Sequence, residues 1–254
     1  MGYITKELRG SVCLLTIDAP PVNALNSQAY FDLYQAMYDC AVDDAVRVVV
    51  LTGAGPKAFV AGADVKEFLP LDSDTGAAFS HRNGQVREYI RRFPKPVICA
   101  INGVAYGGGC SLALVCDVRI ASENARLSLS AINMGTIEGL VYAAGIGAAG
   151  TVRKMAYTGE PVTAREALAA GLVDEVVAPE ELLPRCMVLA EKMAAKPPLA
   201  LRRAKEVLTI AAEQAMADAL RQEEDRIAAL WGTEDKNEAV RAFLEKRTPT
   251  FQGK

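Results

Sequence analysis

Apolar residues along the first half of the chain switch between two spacings, and the switches mark out the elements. Tyr3–Arg9 and Ser11–Asp18 alternate as two strands, and Gly10 between them predicts a hairpin. From Ser27 the spacing becomes helical. Tyr30, Leu33, Met37 and Cys40 share one face, and Ser27 reads as the cap. Val46–Leu51 and Val97–Ile101 are continuous apolar runs, the pattern of short strands buried on both faces. Gly84–Phe93 predicts a helix stopped by Pro94 and Pro96. Asp72–Gly84 is polar and reads as a mobile lid over a site.

The character changes near residue 190. After Pro197-Pro198, helical stripes follow: Leu201, Ala204, Leu208 and Ala211 first, then Met216, Leu220, Ile227 and Trp231. Val240, Phe243 and Leu244 group together in a last helix. These stripes are packing surfaces, on the core or on a second copy. The chain therefore divides into a core over 1–195 and a helical region over 196–254.

Composition removes several classes of function. With 254 residues the chain can bury a full core. A net charge of −3 gives no electrostatic support for nucleic-acid binding. No apolar run reaches the length of a membrane span, and the N-terminus lacks a signal-peptide apolar region. The six cysteines form no CxxC pair and lie mostly in apolar stretches, as expected of reduced core thiols in a cytoplasmic protein. One histidine, His81, cannot build an ordinary zinc site, so no metal is expected. His81 sits among polar residues and reads as a surface or lid residue rather than a base.

Two segments carry the candidate chemistry. Val48–Gly53 leads to Ala58-Phe59-Val60-Ala61-Gly62-Ala63-Asp64, and Val97–Gly103 leads to Tyr106-Gly107-Gly108-Gly109-Cys110. Small residues after a buried strand let a ligand approach bare backbone. N–H groups opening a helix lack intrahelical partners and can bind developing negative charge. Two such donors meeting at one point would make an oxyanion hole. Gly145-Ile146-Gly147-Ala148-Ala149-Gly150 matches G-x-G-x-x-G, with Leu140–Ala144 as its strand and Asp174 as its ribose acid. That nicotinamide reading is weak: no further βαβ series follows, and loops of small residues match the pattern by chance. Gly107-Gly108-Gly109 is not a P-loop, because no Lys-Ser or Lys-Thr follows it.

Several motifs occur together and in order. They are Pro21-Val22-Asn23-Ala24-Leu25-Asn26, Ala58–Lys66, Lys95–Gly103 with Gly107–Cys110, Cys116-Asp117, Gly135-Thr136-Ile137, Ala170–Asp174 and Phe243–Arg247. In this the chain strongly resembles the enoyl-CoA hydratase/isomerase (crotonase) family over nearly its whole length. The resemblance implies an α/β fold, a crotonase-type spiral of ββα turns with a C-terminal helical trimerisation region. It implies acyl-CoA substrates, coenzyme A entering only as part of the substrate, and a homotrimer or homohexamer. The N–H groups of Ala63 and Gly108 would hold the thioester oxygen. Asn23, Ala24, Leu25 and Ala61 would border the CoA, Lys66 would lie near a phosphate, and Phe243 and Lys246 would complete a neighbouring subunit's CoA site.

The chain departs from the family where hydration chemistry sits. The two hydratase glutamates are replaced by Ser111 and Ala131. Ser111 can hold water but is a poor base, and Ala131 can do neither. Glu138, just after Gly135-Thr136-Ile137 and with Ile137 and Gly139-Leu140-Val141 as apolar surroundings that would bury and activate it, is the substitute carboxylate, and Tyr142 is a second candidate as proton donor. One carboxylate suffices to shift a double bond, so isomerisation leads on this reading. Decarboxylation of a malonyl-type thioester, thioester hydrolysis, atypical hydration and a non-catalytic CoA-binding subunit are the alternatives.

Overall fold

The structure, a computed structural model, describes residues 2–67, 73–134, 136–212, 234, 235, 238, 242 and 245–254. The hairpin forms as expected: β1 (Ile4–Arg9) pairs antiparallel with β2 (Val12–Ile17), Ile4 opposite Ile17. Helix α1 (Ser27–Val42) buries Tyr30, Leu33, Met37 and Cys40. Its cap is Asn26, not Ser27: the Asn26 side chain accepts from the Ala29 N–H at 2.8 Å. Ser27 is already helical, and its N–H and hydroxyl are taken by Glu67.

From there a ββα unit repeats. Strand β3 (Val48–Gly53) is followed by β4 (Ala58–Val60) and α2 (Ser73–Arg91). Strand β5 (Val97–Ile101) is followed by β6 (Val104–Tyr106) and α3 (Gly108–Leu114). Strands β7 (Val118–Ser122) and β8 (Arg126–Ser128) lead to α4 (Leu140–Ile146) and α5 (Ala149–Thr158). The first strand of each unit joins a six-stranded sheet, β1-β2-β3-β5-β7-β10, with β10 being Glu175–Val177. The second joins a four-stranded sheet, β4-β6-β8-β9, with β9 being Val162–Thr163. The strands of successive units, β3-β5-β7 in one sheet and β4-β6-β8 in the other, are parallel, so the units stack as a spiral. Gly53 and Gly103 make the corners between sheets: a Cβ at either would collide with backbone of Lys57–Phe59. Asn102 ties the corners together, donating to the Gly53 carbonyl at 3.0 Å and accepting from the Gly53 N–H at 3.1 Å.

The core lies between the two sheets and α1, with Phe59, Tyr30, Phe93 and Leu51 fully buried. On the other face of the large sheet, α7 (Leu182–Ala194) covers Val48, Val50 and Ile98. A short helix α6 (Ala164–Ala169) opens on a capping box, Thr163 with Glu166. All six cysteines are buried and free, as their sequence contexts predicted.

Two further expectations need correction. The polar segment after residue 72 is not a loop: residues 73–84 extend α2 by three turns beyond the predicted start. Leu140–Ala144 is helical, not a strand, so the G-x-G-x-x-G reading loses the strand it requires. In α8 (Pro198–Ala211) the buried residue is Lys205, and Leu208 of the apolar stripe is 72% exposed in the single chain, so the stripe is not wholly covered by the chain's own core. Lys205 is held inside by Asp117, 2.8 Å from its Nζ. The later stripe of Met216, Leu220, Ile227 and Trp231, and Val240, Phe243 and Leu244, lie outside the described residues.

Candidate active site

Strands β4 and β6 are parallel neighbours, and both run into small-residue turns at the same end of their sheet. The turn after β4 carries Ala61-Gly62-Ala63, and the turn after β6 carries Gly107-Gly108-Gly109. Gly109 packs directly on Val60: a Cβ there would sit 2.8 Å from the Val60 carbonyl carbon and nearer still to its oxygen. Gly62 lies against the Tyr106 carbonyl in the same way, 3.4 Å from a hypothetical Cβ. The two turns are therefore side by side. Neither the Ala63 nor the Gly108 N–H donates to another element among the described residues.

The loop before α1 closes one flank. Leu25 bridges to Ala63, its N–H donating to the Gly62 carbonyl at 2.9 Å, and Ala61 donates to Val22 at 3.1 Å. Asn23, Ala24, Leu25, Ala61 and Ala63 thus share one locale, and Lys66 stands exposed beside it. Asn23 takes φ 56° and is buried, with its amide bonded to Ala19, Ala54 and Ala58. That side chain is spent on the fold, so a ligand could meet only its main chain. Lys246 is exposed near the C-terminus, and Phe243 lies outside the described residues.

The two positions at which the resemblance leads one to expect hydratase glutamates, Ser111 and Ala131, flank Gly107-Gly108. Ala131 lies in a short 3-10 turn over Ser130–Met134, its nitrogen 3.9 Å from a Cβ built on Gly107. Ser111 is fully buried, donates its hydroxyl to the Gly107 carbonyl at 3.1 Å, and is covered by Gly139. Its oxygen is turned into its own helix rather than toward open space.

Glu138 is the carboxylate that does reach the turn. Its Oε2 comes within 3.1 Å of a Cβ built on Gly108. The cause is not the apolar sequence neighbours: Ile137 and Val141 are 68% and 82% exposed. Glu138 is drawn inward by Arg87 of α2, whose Nη1 lies 2.6 Å from Oε1. The Tyr30 hydroxyl of α1 completes the group, 2.7 Å from the same hypothetical Cβ on Gly108. Burial pushes the Tyr30 phenol well above its ordinary value, and the Glu138 charge adds to this while Arg87 opposes it. Tyr30 therefore keeps its proton at neutral pH. Tyr30 read as a core residue in the sequence, and Arg87 carried no signal at all. The available clue was that α2 extends through Arg87 as a helix facing α1.

Tyr142 is half-buried on α4 and packs against the main core. With Glu138, Leu140, Leu114 and Val115 it lines a cavity of about 910 Å³. The C-terminal end of α3, about 10 Å along that helix from Gly108, forms part of its wall. Glu138 lines this cavity and also approaches Gly108. Among the described residues, no group of His, Cys, Asp and Glu could hold a metal. No helix among them is long and apolar enough to cross a membrane.

A ββα spiral presenting paired small-residue turns defines a crotonase-type protein. The chain belongs to the enoyl-CoA hydratase/isomerase family, whose model matches residues 7–254. It is 39% identical to a 2,3-dehydroadipyl-CoA hydratase of Escherichia coli, across 100% of both chains. It is 36% identical to a short-chain-enoyl-CoA hydratase of Clostridium acetobutylicum, over 97% of this chain and 96% of that one. The crystal structure of an enoyl-CoA hydratase from Bacillus anthracis superimposes with a TM-score of 0.95. It is 33% identical and covers 99% of this chain and 100% of that one. These relatives are named hydratases, so the preference for isomerisation drawn from the missing glutamates gains no support from them.

Proposed function

We propose that the protein adds water across the double bond of a 2-enoyl-CoA thioester. In this reading the N–H groups of Ala63 and Gly108 hold the thioester oxygen, and Glu138 is the single acid–base group. Glu138 takes a proton from water as its oxygen attacks C3. Electrons move onto the thioester oxygen, where two rigid donors stabilise the enolate without reorganising. The same carboxylic acid then returns the proton to C2. The observation that carries this reading is the Glu138 carboxylate beside Gly108, at the turn where both family glutamates are missing. The hydratase names of the relatives favour hydration over other enolate chemistry.

One observation favours a second reading, double-bond isomerisation. Among the described residues one carboxylate, Glu138, is seen to reach the turn, and one is enough to move a proton between C2 and C4. A single optical assay separates the two. Hydration of crotonyl-CoA removes the conjugated enoyl-thioester absorbance, whereas isomerisation of a 3-enoyl-CoA creates it. Turnover of the 3-enoyl substrate alone would put isomerisation first. Turnover of neither would leave a CoA-binding protein without this chemistry. A homotrimer or homohexamer built on the C-terminal helices belongs to the same proposal, and sedimentation of the full chain tests it.

A further inference from the structure

Four buried side-chain polar atoms among the described residues lack a hydrogen-bond partner, and all belong to Tyr30, Asn83 and Arg87. They are the Tyr30 hydroxyl, Asn83 Oδ1, and Arg87 Nε and Nη1. Buried polar groups are nearly always paired, so such a concentration needs a reason. Tyr30 and Arg87 meet each other and Glu138, beside Gly108. Asn83 stands one helical turn from Arg87 on α2 and shares its face. All three are 6% exposed or less.

The chemistry of the unpaired atoms defines what they would bind. Arg87 Nε–H donates, Asn83 Oδ1 accepts, and the Tyr30 hydroxyl can do either. The Arg87 charge is already balanced by Glu138, with Nη1 in ionic contact rather than an aligned hydrogen bond. A second carboxylate would leave excess negative charge and set its oxygens against Asn83 Oδ1. A hydroxyl fits: it accepts from Arg87 or Tyr30 and donates to Asn83. We infer that Tyr30, Asn83 and Arg87 form a hydroxyl site next to Glu138, which holds the attacking water and then the 3-hydroxyl of the product. This rests on the hydration reading above. It also supplies what the loss of glutamates at Ser111 and Ala131 removed, a fixed position for the water.

The test is binding, which needs no turnover. Wild type, Tyr30→Phe and Asn83→Leu are titrated calorimetrically with butyryl-CoA, 3-hydroxybutyryl-CoA and an acyl-CoA bearing a carboxylate in place of the hydroxyl. Wild type should bind the hydroxyacyl thioester roughly tenfold more tightly than butyryl-CoA, the worth of one or two hydrogen bonds. Each substitution should reduce that preference to about twofold or less while the butyryl-CoA Kd holds. Equal wild-type affinities for butyryl- and 3-hydroxybutyryl-CoA would overturn the site, as would a preference that survives both substitutions. Tighter binding of the carboxylate ligand would reassign the site to an acid group and overturn it too. A hydroxyl preference without any hydration would fail the proposed reaction and keep the site. Hydration without the preference would do the reverse. Should Asn83→Leu fail to fold, wild type and Tyr30→Phe still decide.

Discussion

Gly109→Ala perturbs the tighter of the contacts that set the two turns against each other. The added methyl would lie 2.8 Å from both the carbonyl carbon and the Cβ of Val60. A close carbon–carbon contact is about 3.5 Å, a shortfall of about 0.7 Å, and the Val60 oxygen lies nearer still. Relief therefore requires α3 and β4 to part by about 1 Å. Overpacking of this kind costs about 1–3 kcal/mol, which a domain of this size can survive. The catalytic effect is larger. A misplacement of about 1 Å in a reacting constellation costs roughly 100-fold, and loss of one oxyanion donor costs about 2.7–4 kcal/mol of barrier. Initial rates on crotonyl-CoA should show kcat down by roughly 100-fold with KM little changed, because the donors act on charge that develops after binding. Gly150→Ala is the control: a Cβ there meets nothing within 4 Å, so its rates should match wild type. A folded Gly109→Ala protein with wild-type kcat would refute the reasoning, since the Ala63 and Gly108 donors could not then be held by this contact.

Asp117→Ala should be strongly destabilising, by about 3–5 kcal/mol, because it strands the buried Lys205 charge. It also removes the acceptor of the Val97 N–H, and thermal unfolding should report a drop of roughly 10 °C. Lys205→Met should cost less, since Asp117 is partly exposed and can hydrate; equal losses would count against the asymmetry. Burial pushes the Cys110 and Cys186 thiols up to about 12 and raises Cys99 well above its ordinary value. These three should resist a thiol reagent at pH 8 until the protein unfolds, and mass spectrometry of rapid native labelling on any of them would contradict this.

The spiral was legible where the sequence carries strong local signals. The apolar runs at Val46–Leu51 and Val97–Ile101 and the glycines after them correspond to strands and corners in the structure. The order of motifs carried the family. The site was legible only in its backbone half. Ala61–Ala63 and Gly107–Gly109 declare themselves as small residues after buried strands. The polar half does not, because Tyr30, Asn83, Arg87 and Glu138 come from three separate segments that only the tertiary fold brings together. Glu138 was identified for a reason the structure does not bear out, since Ile137 and Val141 face outward and Arg87 draws the carboxylate in. The polar stretch after residue 72 misled for a related reason. Residues such as Ser80, His81 and Arg82 look loop-like, but one face of α2 carries Asn83, Val86, Arg87 and Ile90 inward, and that sparse stripe is enough for a helix against the core.

The most direct measurement is the fate of crotonyl-CoA in deuterium oxide with wild type and Glu138→Gln, followed by NMR. Wild type should give 3-hydroxybutyryl-CoA carrying one deuterium at C2, the signature of water addition through an enolate. Glu138→Gln should bind butyryl-CoA as wild type does yet hydrate at least about 100-fold more slowly, the usual worth of a general acid–base group. Deuterium at C2 or C4 without a 3-hydroxyl would replace hydration by isomerisation. Hydration by Glu138→Gln at the wild-type rate would contradict the account, because no other carboxylate reaches the Gly108 turn among the described residues.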